Sequence, residues 1–319
     1  MVVFNRRSFM TAAASAGCAL PVAGACASLA PSPFFGERRL PIGVQLYTFG
    51  DLLRTDLEGT LREVARIGYS TVEIPSYMGK TPAQLRESFD AAGLRCTSAH
   101  VGLRAGTAAE PGLLGDLDAL ARDMTVLGAR HVVAPILAAP DDLKVEAAAG
   151  VHIYAATASA MTADHWKRFA ERLNTIGSAL RSRGLSFGYH NHNIEFVPMA
   201  GKTAWDLLLA ETDPELVTFE LDVGWVAAAG QDPAEVFARN PGRYRLMHMK
   251  DLKASSQTNM ALRMDPTEVG SGRLDWNRIL PAAYSAGVRE FFLEQEPPFA
   301  IPRTEAAARG FAYLNALTL

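Results

Sequence analysis

The run Phe187-Gly188-Tyr189-His190-Asn191-His192-Asn193-Ile194-Glu195-Phe196 changes character halfway along. Its first half continues an apolar segment from Leu185. That segment follows a helical pattern closed by Gly184 and reads as a buried strand. Its second half crowds two histidines, two asparagines and a glutamate together. If the strand continues, His190 and His192 have the same parity and point to one side. Three later runs end in the same way: Phe219-Glu220-Leu221-Asp222, Leu246-Met247-His248-Met249-Lys250-Asp251 and Phe291-Phe292-Leu293-Glu294-Gln295-Glu296. Together these strand ends offer a His, an Asp, a His and a Glu. Such a mixed N/O set suits Mn²⁺, Co²⁺, Zn²⁺ or Fe²⁺ better than Mg²⁺ or Ca²⁺.

Working outward, strands and helices alternate strictly. Strands are expected over 41–48, 71–74, 95–99, 131–136, 185–189, 216–222, 244–249 and 290–294. In the first of these, Gln45 and Tyr47 share a face. Helices are expected between them, opened by signals such as Thr81-Pro82 and Asp232-Pro233 and closed by Gly68, Gly93 and Gly128. Residues 51–68 read as one helix. Residues 138–160 read as a long functional loop or lid, and 255–274 as a second long loop. Eight strand–helix units in about 280 residues fit an α/β fold of the closed (β/α)₈ type, a TIM barrel spanning 41–319. A doubly wound sheet would need a glycine-rich turn after the first strand, where this chain has none.

The 319 residues carry a formal net charge of −3 and 49% hydrophobic content. That balance gives no reason to expect nucleic acid or a membrane surface as partner. Residues 1–30 differ from the rest. Asn5-Arg6-Arg7-Ser8-Phe9-Met10 precedes a weakly apolar, Ala-rich run and resembles a twin-arginine export signal. Cleavage could follow Ala25-Cys26-Ala27 or Ser28-Leu29-Ala30, Cys26 is a weak lipid-anchor site, and 31–40 reads as a linker. The expected location is the periplasm, with no membrane span because the run is too short and too rich in alanine. Cys18 and Cys26 fall in this segment, which leaves Cys96 alone in the body and no intrachain disulfide to form. Whether the chain forms a homo-oligomer is left open.

From about Leu40 onward the chain resembles the sugar phosphate isomerase/epimerase superfamily, the xylose-isomerase-like barrels. The likeness rests on Tyr189-His190-Asn191-His192, Leu221-Asp222-Val223-Gly224-Trp225, His248-Met249-Lys250-Asp251 and Glu294-Gln295-Glu296. It implies a divalent metal at the C-terminal mouth of the barrel, held by His190, Asp222, His248 and Glu294, and a small carbohydrate as substrate. Keto-sugar epimerases of that superfamily carry a glutamate where this chain has His190, and use two glutamates to exchange a proton across the substrate. A metal-bound neutral imidazole has no lone pair left for that task. The expected chemistry is therefore proton abstraction beside a carbonyl, followed by elimination or hydrolysis of a keto-glycoside or dehydration of an inosose-like ring. Isomerisation or epimerisation of a free ketose is the alternative. A non-catalytic periplasmic sugar-binding protein is the alternative of another class.

Expected roles follow. His192 is the candidate acid/base, or an orienter of the metal cage. Lys250 would neutralise oxyanion charge, or form a salt bridge. Glu294 is a ligand with a second oxygen free. Glu73 and His100 would hold hydroxyls or shuttle a proton, or else be a buried ion pair and a satisfied core histidine. Gln45, Tyr47, Asn191 and Gln295 are candidate substrate contacts. Trp225 and Phe299 would stack on a sugar face or belong to the core. Glu195 is a further ligand if the strand stops at Asn191.

Overall fold

The computed structural model describes residues 32–105, 110–199 and 201–319. The Arg6-Arg7 pair, Cys18, Cys26 and the export reading built on them lie outside the described residues. Eight parallel strands close into one barrel: β1 (Gly43–Gln45), β2 (Thr71–Ile74), β3 (Arg95–His100), β4 (His131–Ala134), β5 (Ser186–His190), β6 (Thr218–Asp222), β7 (Tyr244–Met249) and β8 (Glu290–Leu293). Each pairs with its sequence neighbours, and β8 closes the ring by setting Phe292 opposite Gly43 and Leu293 opposite Val44. The expected (β/α)₈ barrel is what forms.

The strands read as apolar runs because both of their faces are covered. Helices such as Pro82–Ala92, Leu117–Leu127 and Ala163–Arg181 shield the outside, and each begins where a Thr or Asp side chain caps free backbone amides. Across the axis, Val133 of β4, Leu246 of β7 and Phe292 of β8 pack into a separate buried cluster. They floor the barrel with hydrocarbon. One step up, β6 places Glu220 beside Leu246 and Asp222 beside His248.

Several boundaries differ from expectation for visible reasons. The first strand stops at Gln45. Its Oε1 accepts from Tyr47 N at 3.1 Å and bends the chain into a 3₁₀ turn, Leu46–Phe49, so Tyr47 shares no strand face with it. The helix read over 51–68 is two helices, because Asp56 breaks the run and caps Leu57–Ile67 through Gly59 N. Residues Phe34–Arg38, inside the expected linker, form a helix. Phe34 and Phe35 pack edge-on against Phe291. Phe34 N also donates to Leu317 O, and Pro33 bridges Thr318, so the described N-terminal end is tied to the C-terminal one. The first long loop contains the helix Ile153–Ala160. In the second, Asp251–Leu252 pairs antiparallel with Pro266–Thr267. Among the described residues no helix is long and apolar enough to cross a membrane.

Candidate active site

Charged and imidazole side chains fill the barrel mouth in two tiers. Glu220 anchors the lower one. Residues two apart on a strand share a face, so Glu220 points inward like Asp222. Its Oε2 lies 2.9 Å from His100 Nε2, 3.0 Å from His190 Nδ1 and 3.3 Å from His248 Nε2. Glu73 adds contacts of 3.2 Å to His100 Nε2 and 3.4 Å to His248 Nε2. All of these side chains are buried except His100, which is nearly so. Burial alone would lower the His100 pKa, but the carboxylates of Glu73 and Glu220 outweigh it and raise the imidazole to about 10. Burial wins at His190, which is pushed down to about 3 and stays neutral. Burial would raise Glu220, yet His248, His100 and His190 hold its carboxyl well below the usual range.

The upper tier is built around Asp222, Glu294 and Lys250. Lys250 Nζ, fully buried, lies 2.8 Å from Asp222 Oδ2, 2.8 Å from Glu294 Oε2 and 2.5 Å from Glu296 Oε1. These carboxylates overcome desolvation and keep it an ammonium. His248 Nδ1 meets Glu294 Oε2 at 3.0 Å. Asp222 splits its oxygens: Oδ1 caps the helix Val223–Ala228 by accepting from Trp225 N at 2.9 Å, while Oδ2 faces the cage. Gly224 makes this possible. A Cβ there would lie 2.9 Å from Lys250 Cγ and 3.1 Å from Lys250 O, so only glycine lets the two chains approach.

His190, Asp222, His248 and Glu294, carried by four successive strands or their ends, do converge here, together with Lys250, Glu73 and His100. His192 lies just beyond β5. Its ring centroid is 5.0 Å from that of His190 and 5.2 Å from that of Trp225. His192 Nδ1 is buried with no hydrogen-bond partner, and burial, helped by His190 and Lys250, holds the imidazole well below its ordinary pKa. Gln45 and Gln295 are buried, and each leaves its Nε2 unpartnered.

Other expectations need correction. Asn191 is not free for a substrate: its Oδ1 accepts from Asp222 N at 2.9 Å and its Nδ2 donates to Asp222 O, stitching β5 to β6. Trp225 is 3% exposed, with the Lys250 ammonium 5.3 Å from its ring centroid, so its face is not open to a sugar. Glu195 is not a ligand, because it accepts from Tyr189 OH at 2.6 Å and from His192 N at 2.8 Å. Glu73 and His100 are held by each other, with His100 also paired to Glu220 and Glu73 to His248, in the lower tier of the cage. Sequence reasoning missed the roles of Glu220 and Glu296. The signal for Glu220 was present, since a charged residue between Phe219 and Leu221 shares parity with Asp222.

The residues fit a divalent metal. Glu220 accepts from His190 Nδ1 and His248 Nε2, which leaves His190 Nε2 and His248 Nδ1 facing Asp222 Oδ2 at 3.9 and 3.8 Å. Asp222 Oδ2 is buried with no hydrogen bond, only the ion pair to Lys250. His248, Asp222 and Glu294 offer donor atoms that all lie within 4.8 Å of one another. Three carboxylates around the Lys250 ammonium, with Glu73 and Glu220 against His100 and His248 below, leave negative charge in excess for a further cation.

Known proteins share this frame. An inosose dehydratase from Lacticaseibacillus casei is 28% identical over 168 residues, 49% of this chain and 55% of that one. An inosose dehydratase from Geobacillus thermodenitrificans is 26% identical over 154 residues, 44% of this chain and 51% of that one. The chain thus spans about half the length of the curated relatives it matches. A solved sugar phosphate isomerase/epimerase from Parabacteroides distasonis superposes with a TM-score of 0.67 at 26% identity, covering 93% of this chain and 98% of that one. The family described as xylose isomerase-like TIM barrel matches residues 61–317, most of the barrel and its C-terminal mouth, and the chain belongs to it.

Proposed function

We propose that the protein is a divalent-metal-dependent, sugar-modifying enzyme that removes a proton beside a carbonyl and expels the substituent one carbon further on. Its substrate is a keto-glycoside or an inosose-like ring. The observation that carries this reading is His192: one buried imidazole beside the cage, its Nδ1 without a partner. The relatives named inosose dehydratase support the reaction class. A metal held by His190, Asp222, His248 and Glu294 would supply Lewis-acid polarisation of the substrate carbonyl.

The remaining steps belong to the chain. His192 Nδ1 takes the proton from the carbon next to the carbonyl. The C–H electron pair becomes a C=C bond, and the C–O bond to the leaving group breaks. His192 then hands its proton to the departing oxygen, giving an enone plus water from an inosose or an alcohol from a glycoside. Addition of water to the enone completes a net hydrolysis. Lys250 contributes a fixed positive charge at the edge of the cage. The test is to incubate metal-loaded protein with an inosose, a keto-glycoside and a free ketose. Enone formation or alcohol release is expected. Efficient epimerisation of the ketose, without dehydration or cleavage of the other two, would show the reading to be wrong.

A further inference from the structure

Above the ends of β1, β2 and β8 lies a cavity of about 500 Å³ that the cage itself does not use. This is within the range of about 300–1,000 Å³ typical of small-molecule sites. Tyr47, Leu53, Arg54, Pro75, Met78 and Arg303 line it. The cavity is fixed to the cage by the chain. Pro75 follows Glu73 by two residues, and Pro297, also in the wall, follows Glu296, which holds Lys250. The turn carrying Tyr47 is tied to the end of β8, because Gln295 N donates to Thr48 Oγ1 at 3.1 Å. Arg303 is clamped in the wall by its bond to Thr48 O at 2.8 Å and by the Phe299 ring 4.4 Å away.

Tyr47 stands out in this setting. It is 48% exposed, unusual for a large aromatic side chain, yet its backbone is fixed by Gln45. Burial and the carboxylates of Glu296 and Glu294 raise its phenol above the ordinary value. An aromatic face with apolar neighbours Leu53, Pro75 and Met78, rimmed by Arg54, Arg303 and Ser76, has two kinds of surface. A pyranose has the same two: a C–H face and an edge of hydroxyls. Gln45 Nε2, two residues before Tyr47, is a buried donor still without a partner.

We propose that this cavity is a leaving-group subsite that holds the second sugar ring of a glycoside while the oxidised ring sits at the cage. The inference rests on the proposed elimination and narrows its substrate to keto-disaccharides, since a free inosose would leave Tyr47 and its apolar neighbours in contact with water. Its test compares kcat/KM for a keto-glucosyl-glucose and for the methyl keto-glucoside. Wild type prefers the disaccharide. In Tyr47→Ala that preference falls about tenfold, mainly through KM, the size of one aromatic contact. Tyr47→Phe, which keeps the ring, retains it. Equal rates on both substrates in wild type, or a Tyr47→Ala loss that is the same for both, would overturn the subsite and leave the elimination standing. Dehydration of an inosose with neither glycoside consumed would likewise overturn the subsite and leave the elimination standing, whereas epimerisation of a free ketose with neither the inosose nor a glycoside consumed would overturn both.

Discussion

Glu220 and Glu294 both sit against His248, one at each ring nitrogen, and their surroundings separate them. Glu220 gathers three imidazoles and pairs with no ammonium among the described residues, directly above the hydrocarbon floor of Val133, Leu246 and Phe292. Glu294 shares Lys250 with Asp222 and Glu296 and lies at the mouth. The lower tier fixes which nitrogen of the neutral His190 ring carries the proton and keeps His100 charged. The upper tier holds charge that a ligand can rearrange. Buried polar groups thus serve two ends in one cage, and the position along the barrel axis decides which.

The sharpest way to break this contrast is to remove one glutamate from each tier. Glu220→Ala strands three buried imidazoles and should lower the unfolding free energy by about 3–5 kcal/mol, as expected when one partner of a buried charge set is lost. Glu294→Gln should keep most of the stability and lose bound metal instead. Denaturant unfolding and metal analysis of both variants check this. Equal stability losses would erase the distinction between the tiers.

His192→Ala sharpens it from the side of chemistry. Because His192 touches the cage without being tied by Glu220, kcat should fall by about 10²–10⁴ while metal content stays at the wild-type level. Loss of the metal together with activity would make His192 part of the cage.

A smaller effect concerns Glu195, whose carboxyl burial pushes up to about 7 against the opposing bonds from Tyr189 and His192. The unfolded chain loses this proton near its ordinary value of 4.5, and the folded one keeps it until about 7. Stability from this group is therefore full below 4.5 and falls as pH rises through 7. Glu195→Gln is free of that loss, so its stability relative to wild type should rise by at most about 3 kcal/mol between pH 5 and pH 8. Thermal melts at the two values measure it, and a gap that does not move with pH excludes the shift.

The barrel was legible because most strands are covered on both faces and read as largely apolar runs that end in polar residues. The convergence of His190, Asp222, His248 and Glu294 was legible for the same reason. What escaped was whatever tertiary pairing decides. β5 ends at His190 because Asn191 turns onto the backbone of Asp222, a partner 31 residues away. Asp56 interrupts a continuous helical period by capping. Trp225 could be read as a stacking or a core aromatic until Lys250 is seen to cover it. Glu220 lay within reach of a parity argument and was hidden by its apolar neighbours.

The tie between the first and last elements governs how this molecule is born. β1 pairs with β2 and β8, and Phe34 and Phe35 rest on Phe291. A chain emerging from the ribosome with its N-terminus first has neither partner for β1's outer edge nor cover for those two phenylalanines until β8 has been made. A nascent half ending after β4 exposes unpaired edges at β1 and β4, the arrangement that invites aggregation. Ring closure is then a single long-range event at the end of synthesis, and the cage, which draws on strands from β2 to β8, comes into being at the same moment.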